Sequence, residues 1–258
     1  MNTYLQPEII TIRIPSFLLR QIRAEVKKLK FYKNNGNLNV NKFLTKMIPS
    51  MIEFTNHKSE SLKTHLYKNI KDCLPEKMQD KIIDFIMESV EQDLHSKQYY
   101  SCEEVITLRL DVKNEDFYAK LFTKLDDIGV KKSTFLRNII VEYFKQSEYQ
   151  RQRICFYEEC KKIKDIANDE RLCCLKIRHS VINVIPLGIE YSAKDSYLYL
   201  IYFKEKDYSK IFSVPLCMID KALPLRKVKY TLTEEFENCI ANTLEEDNLN
   251  ALTEFDLN

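Results

Sequence analysis

The sequence predicts an α+β protein: two strand-helix-helix units joined by a helical hairpin, followed by a small β-domain. Three observations predict it. Two similar five-residue segments stand 96 positions apart, Ile10-Thr11-Ile12-Arg13-Ile14 and Ile106-Thr107-Leu108-Arg109-Leu110, and each leads into helical periodicity. From Leu172 onward the pattern changes to short consecutive strands. Charge is polarised along the chain: residues 1–71 hold 13 Lys and Arg against 4 Asp and Glu, whereas residues 230–258 hold eight acidic residues and no Lys or Arg.

Each repeated segment alternates apolar and polar side chains, the period of a half-buried strand. Ile10, Ile12 and Ile14 form the apolar face of the first, and Ile106, Leu108 and Leu110 that of the second. After Pro15-Ser16, Phe17, Leu18, Ile22, Val26 and Leu29 recur at helical spacing. In the second copy Phe117, Leu121, Phe122, Leu125 and Ile128 do so, and Gly129 suits the left-handed cap. A second helix follows in each copy, with Asn41 and Ser133 as N-caps before Phe43-Leu44 and Phe135-Leu136. Those phenylalanines are 92 apart, so the first copy's turn reads as four residues longer, with Lys33-Asn34-Asn35-Gly36-Asn37 looping outwards. Pro49 should kink the first copy's second helix.

Between the copies, Leu62, Leu66 and Ile70, then Met78, Ile82, Phe85, Ile86 and Val90 after Pro75, predict a helical hairpin. Beyond a basic helix with Lys161, Lys162 and Lys164, strands are expected at Leu172–His179, Ile182–Tyr191, Tyr197–Phe203 and Ile211–Val214. Short strands in succession favour a small barrel or curled sheet.

Strand, helix, turn and helix in this order resemble the ribbon-helix-helix family over residues 8–56 and 104–147. One such unit cannot stand alone, because a lone strand leaves its backbone groups unpaired. Family members solve this by dimerising, which makes a homodimer the expected assembly. With two copies in one chain, pairing of Ile10–Ile14 with Ile106–Leu110 within one molecule is the economical alternative. The resemblance implies that Thr11, Arg13, Thr107 and Arg109 touch base edges, an arginine fork suiting guanine. It also implies that Asn41 and Lys42, and Lys132, Ser133 and Thr134, hold backbone phosphates at helix N-termini.

Residues 150–225 resemble the WYL domain: a strand, the turn Pro186-Leu187-Gly188-Ile189, and Leu198-Tyr199-Leu200 where that family writes Trp-Tyr-Leu. The chain has no tryptophan, and around Phe212-Ser213-Val214 it lacks the family's usual arginines. The resemblance implies an Sm-like barrel and a nucleic-acid or ligand site, for which Lys161, Lys162, Lys164, Lys176, Arg178 and Tyr199 are the candidates. The expected division is a first unit at 1–56, a helical linker at 57–100, a second unit at 101–150, a barrel at 151–230 and an acidic segment at 231–258.

Hydrophobic residues at 45% and charged residues at 30% are globular values. No signal-peptide pattern follows Met1 and no apolar run approaches the roughly 18 residues of a membrane span, so a cytoplasmic protein is expected. The eight cysteines read as reduced core residues, and Cys155 and Cys160 lack a second pair for a metal site. His57, His65, His95 and His179 are isolated, and three glycines form no phosphate loop. No enzyme, cofactor or metal is therefore expected. Proteins combining these two modules resemble bacterial transcription regulators and the WYL accessory proteins of type VI-D CRISPR systems, which bind RNA. The expected partner is nucleic acid, single-stranded RNA ahead of duplex DNA, together with an RNA-guided effector; a dimer scaffold of antitoxin type is the third reading.

Overall fold

The computed structural model describes residues 8–70, 78–84, 86–87, 101–110, 114–205 and 207–229. The protein is α+β and divides into two compact units, 1–146 and 147–258. The acidic segment at 231–258 lies outside the described residues.

In the first unit, strand β1 (Ile9–Ile14) is followed by helices α1 (Ser16–Lys28) and α2 (Val40–Ile70). Strand β2 (Glu104–Arg109) is followed by α3 (Glu115–Asp127) and α4 (Lys132–Lys145). The two strands pair antiparallel within the one chain, with Thr11 opposite Thr107 and Ile12 opposite Ile106. Their burial alternates as the period-2 pattern requires: Ile10, Ile12, Ile14, Ile106 and Leu108 are buried, and the residues between them face outward. The second helix of each copy packs on the other copy's strand, α4 on β1 and α2 on β2. Each copy thus completes the other's core. Phe43 sits at its centre, edge-on to Phe31 at 5.6 Å and to Tyr143 at 5.8 Å, and the Tyr143 hydroxyl donates to the buried Glu25 carboxylate at 3.1 Å.

Three details differ from the sequence reading. First, α2 runs as one helix through Pro49 to Ile70, so the first helix expected of the hairpin is its continuation. Residues 78–84 and 86–87 are helical, with Ile83 buried; Phe85 and Val90 fall outside the described residues. Second, the caps lie two residues earlier than expected. The Asn39 side chain accepts from the Lys42 N–H at 3.0 Å, and α4 starts after Lys131 with no side-chain cap.

Third, the turn insertion is larger. α1 and α3 start at 16 and 115, an offset of 99, while α2 and α4 start at 40 and 132, an offset of 92, a difference of seven. Both first helices end alike: Lys30 at φ 58° and Gly129 at φ 69° take the left-handed position. Phe31 N–H then reaches back to the Val26 carbonyl at 3.0 Å, and Val130 N–H to the Leu125 carbonyl at 2.9 Å. The next helix cap follows at once in the second copy, whereas the first interposes residues 32–38. These close on themselves as a small hairpin, with Tyr32 bridged to Leu38, Lys33 N–H on the Asn37 carbonyl at 2.8 Å, and Gly36 at φ 80° in the turn.

The second unit begins with α5 (Glu148–Cys155), capped by Ser147, and α6 (Tyr157–Asn168). Strands β3 (Arg171–Ile177), β4 (Ser180–Ser192), β5 (Tyr197–Lys204), β6 (Asp207–Pro215) and β7 (Ile219–Lys229) form one antiparallel sheet in the order β6-β5-β4-β3-β7. This corrects the expected closed barrel. Among the described residues β6 and β7 do not pair, and each is an edge. The sheet nevertheless curls, because Ile211 of β6 and Leu225 of β7 meet one cluster with Leu172, Ile185, Tyr199, Ile201 and Phe203. Helix α6 lies on β3, β4 and β7, with Ile163 and Ile166 buried. Buried Gln152 ties α5 to β5: its carboxamide accepts from the Leu198 N–H at 2.9 Å and donates to the Ser196 carbonyl.

Candidate nucleic-acid interface

The outer face of the β1–β2 ribbon is set by register. Ile9 faces Arg109, Thr11 faces Thr107, and Arg13 faces Val105. Under the 96-residue repeat, Thr11 corresponds to Thr107, Arg13 to Arg109 and Ile9 to Val105. Paired residues and repeated residues therefore coincide only at Thr11–Thr107, which places a local two-fold axis between those threonines. The face reads the same from either strand: an outer apolar residue, a central threonine and an arginine.

The Leu110 N–H donates to the Glu8 carbonyl at 3.1 Å, so by alternation the outward-facing pairs are the non-hydrogen-bonded ones. Their backbone groups point away from the ribbon and need other partners. At Arg109 the Asn41 carboxamide supplies them, accepting from the backbone N–H at 2.8 Å and donating to the carbonyl at 3.3 Å. Asn41 thus fixes the strand that presents Arg109.

Thr11, Arg13, Thr107 and Arg109 are all exposed, and among the described residues neither guanidinium has an ion-pair partner. The structure brings these four together on one surface. Ile9 and Val105, each 55% exposed, share it and escaped the sequence reading. The strand offset could have revealed them, because they are the matched residues one step beyond the threonines.

The residues assigned to helix N-termini diverge. Lys42 is exposed beside the α2 terminus. Lys132 pairs with Glu8 at 3.3 Å and lies 4.5 Å from the Phe122 ring centre, so its ammonium is already engaged. Ser133 and Thr134 are half-buried in the first turn of α4.

In the second unit, Lys161, Lys162 and Lys164 stand on the solvent side of α6, and Lys176 is exposed on β3. Arg178 occupies the β3–β4 turn at φ 52°, exposed. Tyr199 is different: it is fully buried in the sheet core, its hydroxyl facing Asp195 at 3.4 Å, and burial pushes its ionisation above the usual tyrosine range. Its ring offers no open face for a base. The register adds Lys221 of β7, directly opposite Lys176 and exposed. Like charges across a strand pair repel, so a polyanion over them would relieve that cost. The sequence hid Lys221 because Pro224 argues against a strand, and β7 tolerates it as an edge.

Among the described residues no group of three metal-ligating side chains comes together, and no helix is long and apolar enough to cross a membrane. No family model matches the chain, and no curated protein matches it. Among solved structures, it is similar to one described as the crystal structure of a CRISPR Cas-related protein, at 15% identity, over 93% of this chain and 67% of that one, with a TM-score of 0.63. Proteasome accessory factor B/C (PafBC) of Arthrobacter aurescens aligns at 11% identity over 88% of this chain and 35% of that one, with a TM-score of 0.25, too low to carry an argument. At its identity, the first likeness shows a shared fold.

Proposed function

We propose that this chain is a non-enzymatic regulatory protein that binds nucleic acid across the outer face of its ribbon. Its ligand is single-stranded RNA, and it acts as an accessory to an RNA-guided, RNA-targeting CRISPR effector. The observation that carries the nucleic-acid reading is the two-fold ribbon face, with Thr11 and Thr107 on the axis and the exposed Arg13 and Arg109 beside them. Arginine forks donate to phosphates and base edges alike, which suits this face to a polyanion. The strand-helix-helix order, twice over, supports a ribbon-helix-helix origin, and the curled sheet of the second unit is consistent with an opened WYL-like domain. The fold shared with a CRISPR Cas-related protein supports the assignment to that class of system. Lys176, Lys221 and Arg178 give the second unit exposed basic residues of its own.

The local two-fold axis favours a second reading, a transcription regulator on duplex DNA, because a symmetric ribbon matches a symmetric groove. Titrating a labelled single-stranded RNA and a duplex DNA across a salt series separates the two. The proposed function requires tight, salt-dependent RNA binding that Arg13→Ala with Arg109→Ala weakens. Preference for duplex, with a penalty of about 1–3 kcal/mol per base contact in the same variant, establishes the regulator reading instead.

A further inference from the structure

We propose that the hairpin at residues 32–38, present only in the first copy, forms a nucleotide-binding recess for single-stranded RNA; this rests on the nucleic-acid reading above. Tyr32, Lys33, Asn34, Asn35, Asn39 and Lys42 line a shallow recess of about 510 Å³. The composition is that of a single-strand site. A partly exposed aromatic ring gives any base a stacking surface, ammonium groups take phosphates, and side-chain amides can both donate to and accept from base edges. Tyr32 is 39% exposed, held by its bridge to Leu38 and by its hydroxyl near the Lys27 carbonyl at 3.5 Å. Lys33 and Lys42 are exposed on the recess wall, while the Asn35 and Asn39 carboxamides accept from backbone N–H groups, which fixes their orientation.

Charge singles out this side of the molecule. Residues 26–52 carry six lysines and no acidic residue, whereas the matching span 125–144 carries Lys131, Lys132 and Arg137 against Asp126, Asp127 and Glu142. The ribbon face is two-fold symmetric, but the potential around it is not. A strand crossing the ribbon is drawn over the first copy's turn, where the recess takes one of its nucleotides. The bound RNA accordingly has one orientation, although the ribbon alone would accept two.

The test uses the full chain and a fluorescent single-stranded RNA. Tyr32→Leu keeps the bulk and removes the aromatic ring; it should weaken binding by about fivefold or more, the lower end of a lost base stack. Lys33→Gln with Lys42→Gln should lower the slope of log affinity against log salt by about 0.7 for each phosphate that the two lysines neutralise in the parent. RNA carrying 4-thiouridine should crosslink to the peptide spanning residues 31–42 in the parent and lose that crosslink in Tyr32→Leu. Excising residues 32–38, which reproduces the second copy's own turn, should match the combined variants. If Tyr32→Leu and the lysine pair bind as the parent does while Arg13→Ala with Arg109→Ala binds poorly, the recess is refuted and the ribbon stands. If the recess variants weaken binding and the arginine pair does not, the recess stands and the ribbon reading falls. An unmodified chain that does not bind RNA overturns both.

Discussion

At the scale of single residues, Asn41 shows how a polar side chain is committed by backbone chemistry. A two-stranded ribbon has two edges, and every outward-facing backbone group on them lacks a ladder partner. Asn41 satisfies both groups of Arg109. Asn41→Ala should therefore cost about 1–3 kcal/mol of unfolding free energy, because it orphans a donor and an acceptor. Asn41→Asp keeps the acceptor and should cost less. Equal losses in a denaturant titration would mean that the clamp does not hold the strand. Cys173 gives a second residue-scale prediction: burial pushes its thiol up from 9.0 to about 12, against a smaller opposing pull from a backbone hydrogen bond at Leu223. The folded state thus holds this proton more tightly than the unfolded chain does. Its contribution to stability is fully present below about pH 9 and is lost as pH rises toward about 12. Cys173→Ala should flatten that alkaline decline in stability measured by thermal melting, and an unchanged decline would show that other groups produce it.

Among the elements, what the sequence revealed follows from which signals are local. The strands were legible because alternation of Ile, Thr and Arg has only one face to bury, and a slip of one residue would expose Ile12 and Leu108. Their pairing within one chain was legible only as an economical choice, and the register settles it. The insertion was undercounted because the strands repeat at 96 while the first helices repeat at 99, the second copy having three more residues between strand and helix. Asn39 rather than Asn41 caps α2, a distinction that depends on where the chain leaves the hairpin. Sheet closure was not legible, since pairing of β6 with β7 is a long-range property that no short pattern encodes. Candidate site residues divide in the same way: the four ribbon positions follow from period-2 alternation, while Tyr199, which alternation alone cannot assign to a face in a strand buried on both sides, proves to be core. The ribbon's two faces can be separated experimentally. Ile12→Ala should destabilise by about 2–5 kcal/mol, because it opens a cavity under the strand pair. Ile9→Ala, on the outer face, should stay within about 0.5 kcal/mol in stability. Similar costs for both would contradict the burial pattern.

Across the whole molecule, charge is the property that no single element explains. The formal net charge is only +2, yet it combines a balance of +9 in residues 1–71 with −8 in residues 230–258. Under the proposed function the acidic stretch is a competitor for RNA within the same chain, since the same lysines and arginines attract either polyanion. Deleting residues 231–258 removes all eight acidic residues of that stretch and no Lys or Arg, raising the formal charge from +2 to +10. Affinity for single-stranded RNA should rise at low ionic strength, and the gain should shrink as salt is added, because screening over roughly 8–10 Å at 0.10–0.15 M weakens long-range repulsion. If the acidic stretch instead occupied the basic surface directly, releasing it would also steepen the salt slope, because the parent would no longer exchange one polyanion for another. Measuring affinity and slope together therefore distinguishes repulsion at a distance from occupation of the site. Unchanged affinity in the truncated chain at low salt would remove the acidic segment from any account of RNA binding and leave the first unit's lysines and arginines acting alone.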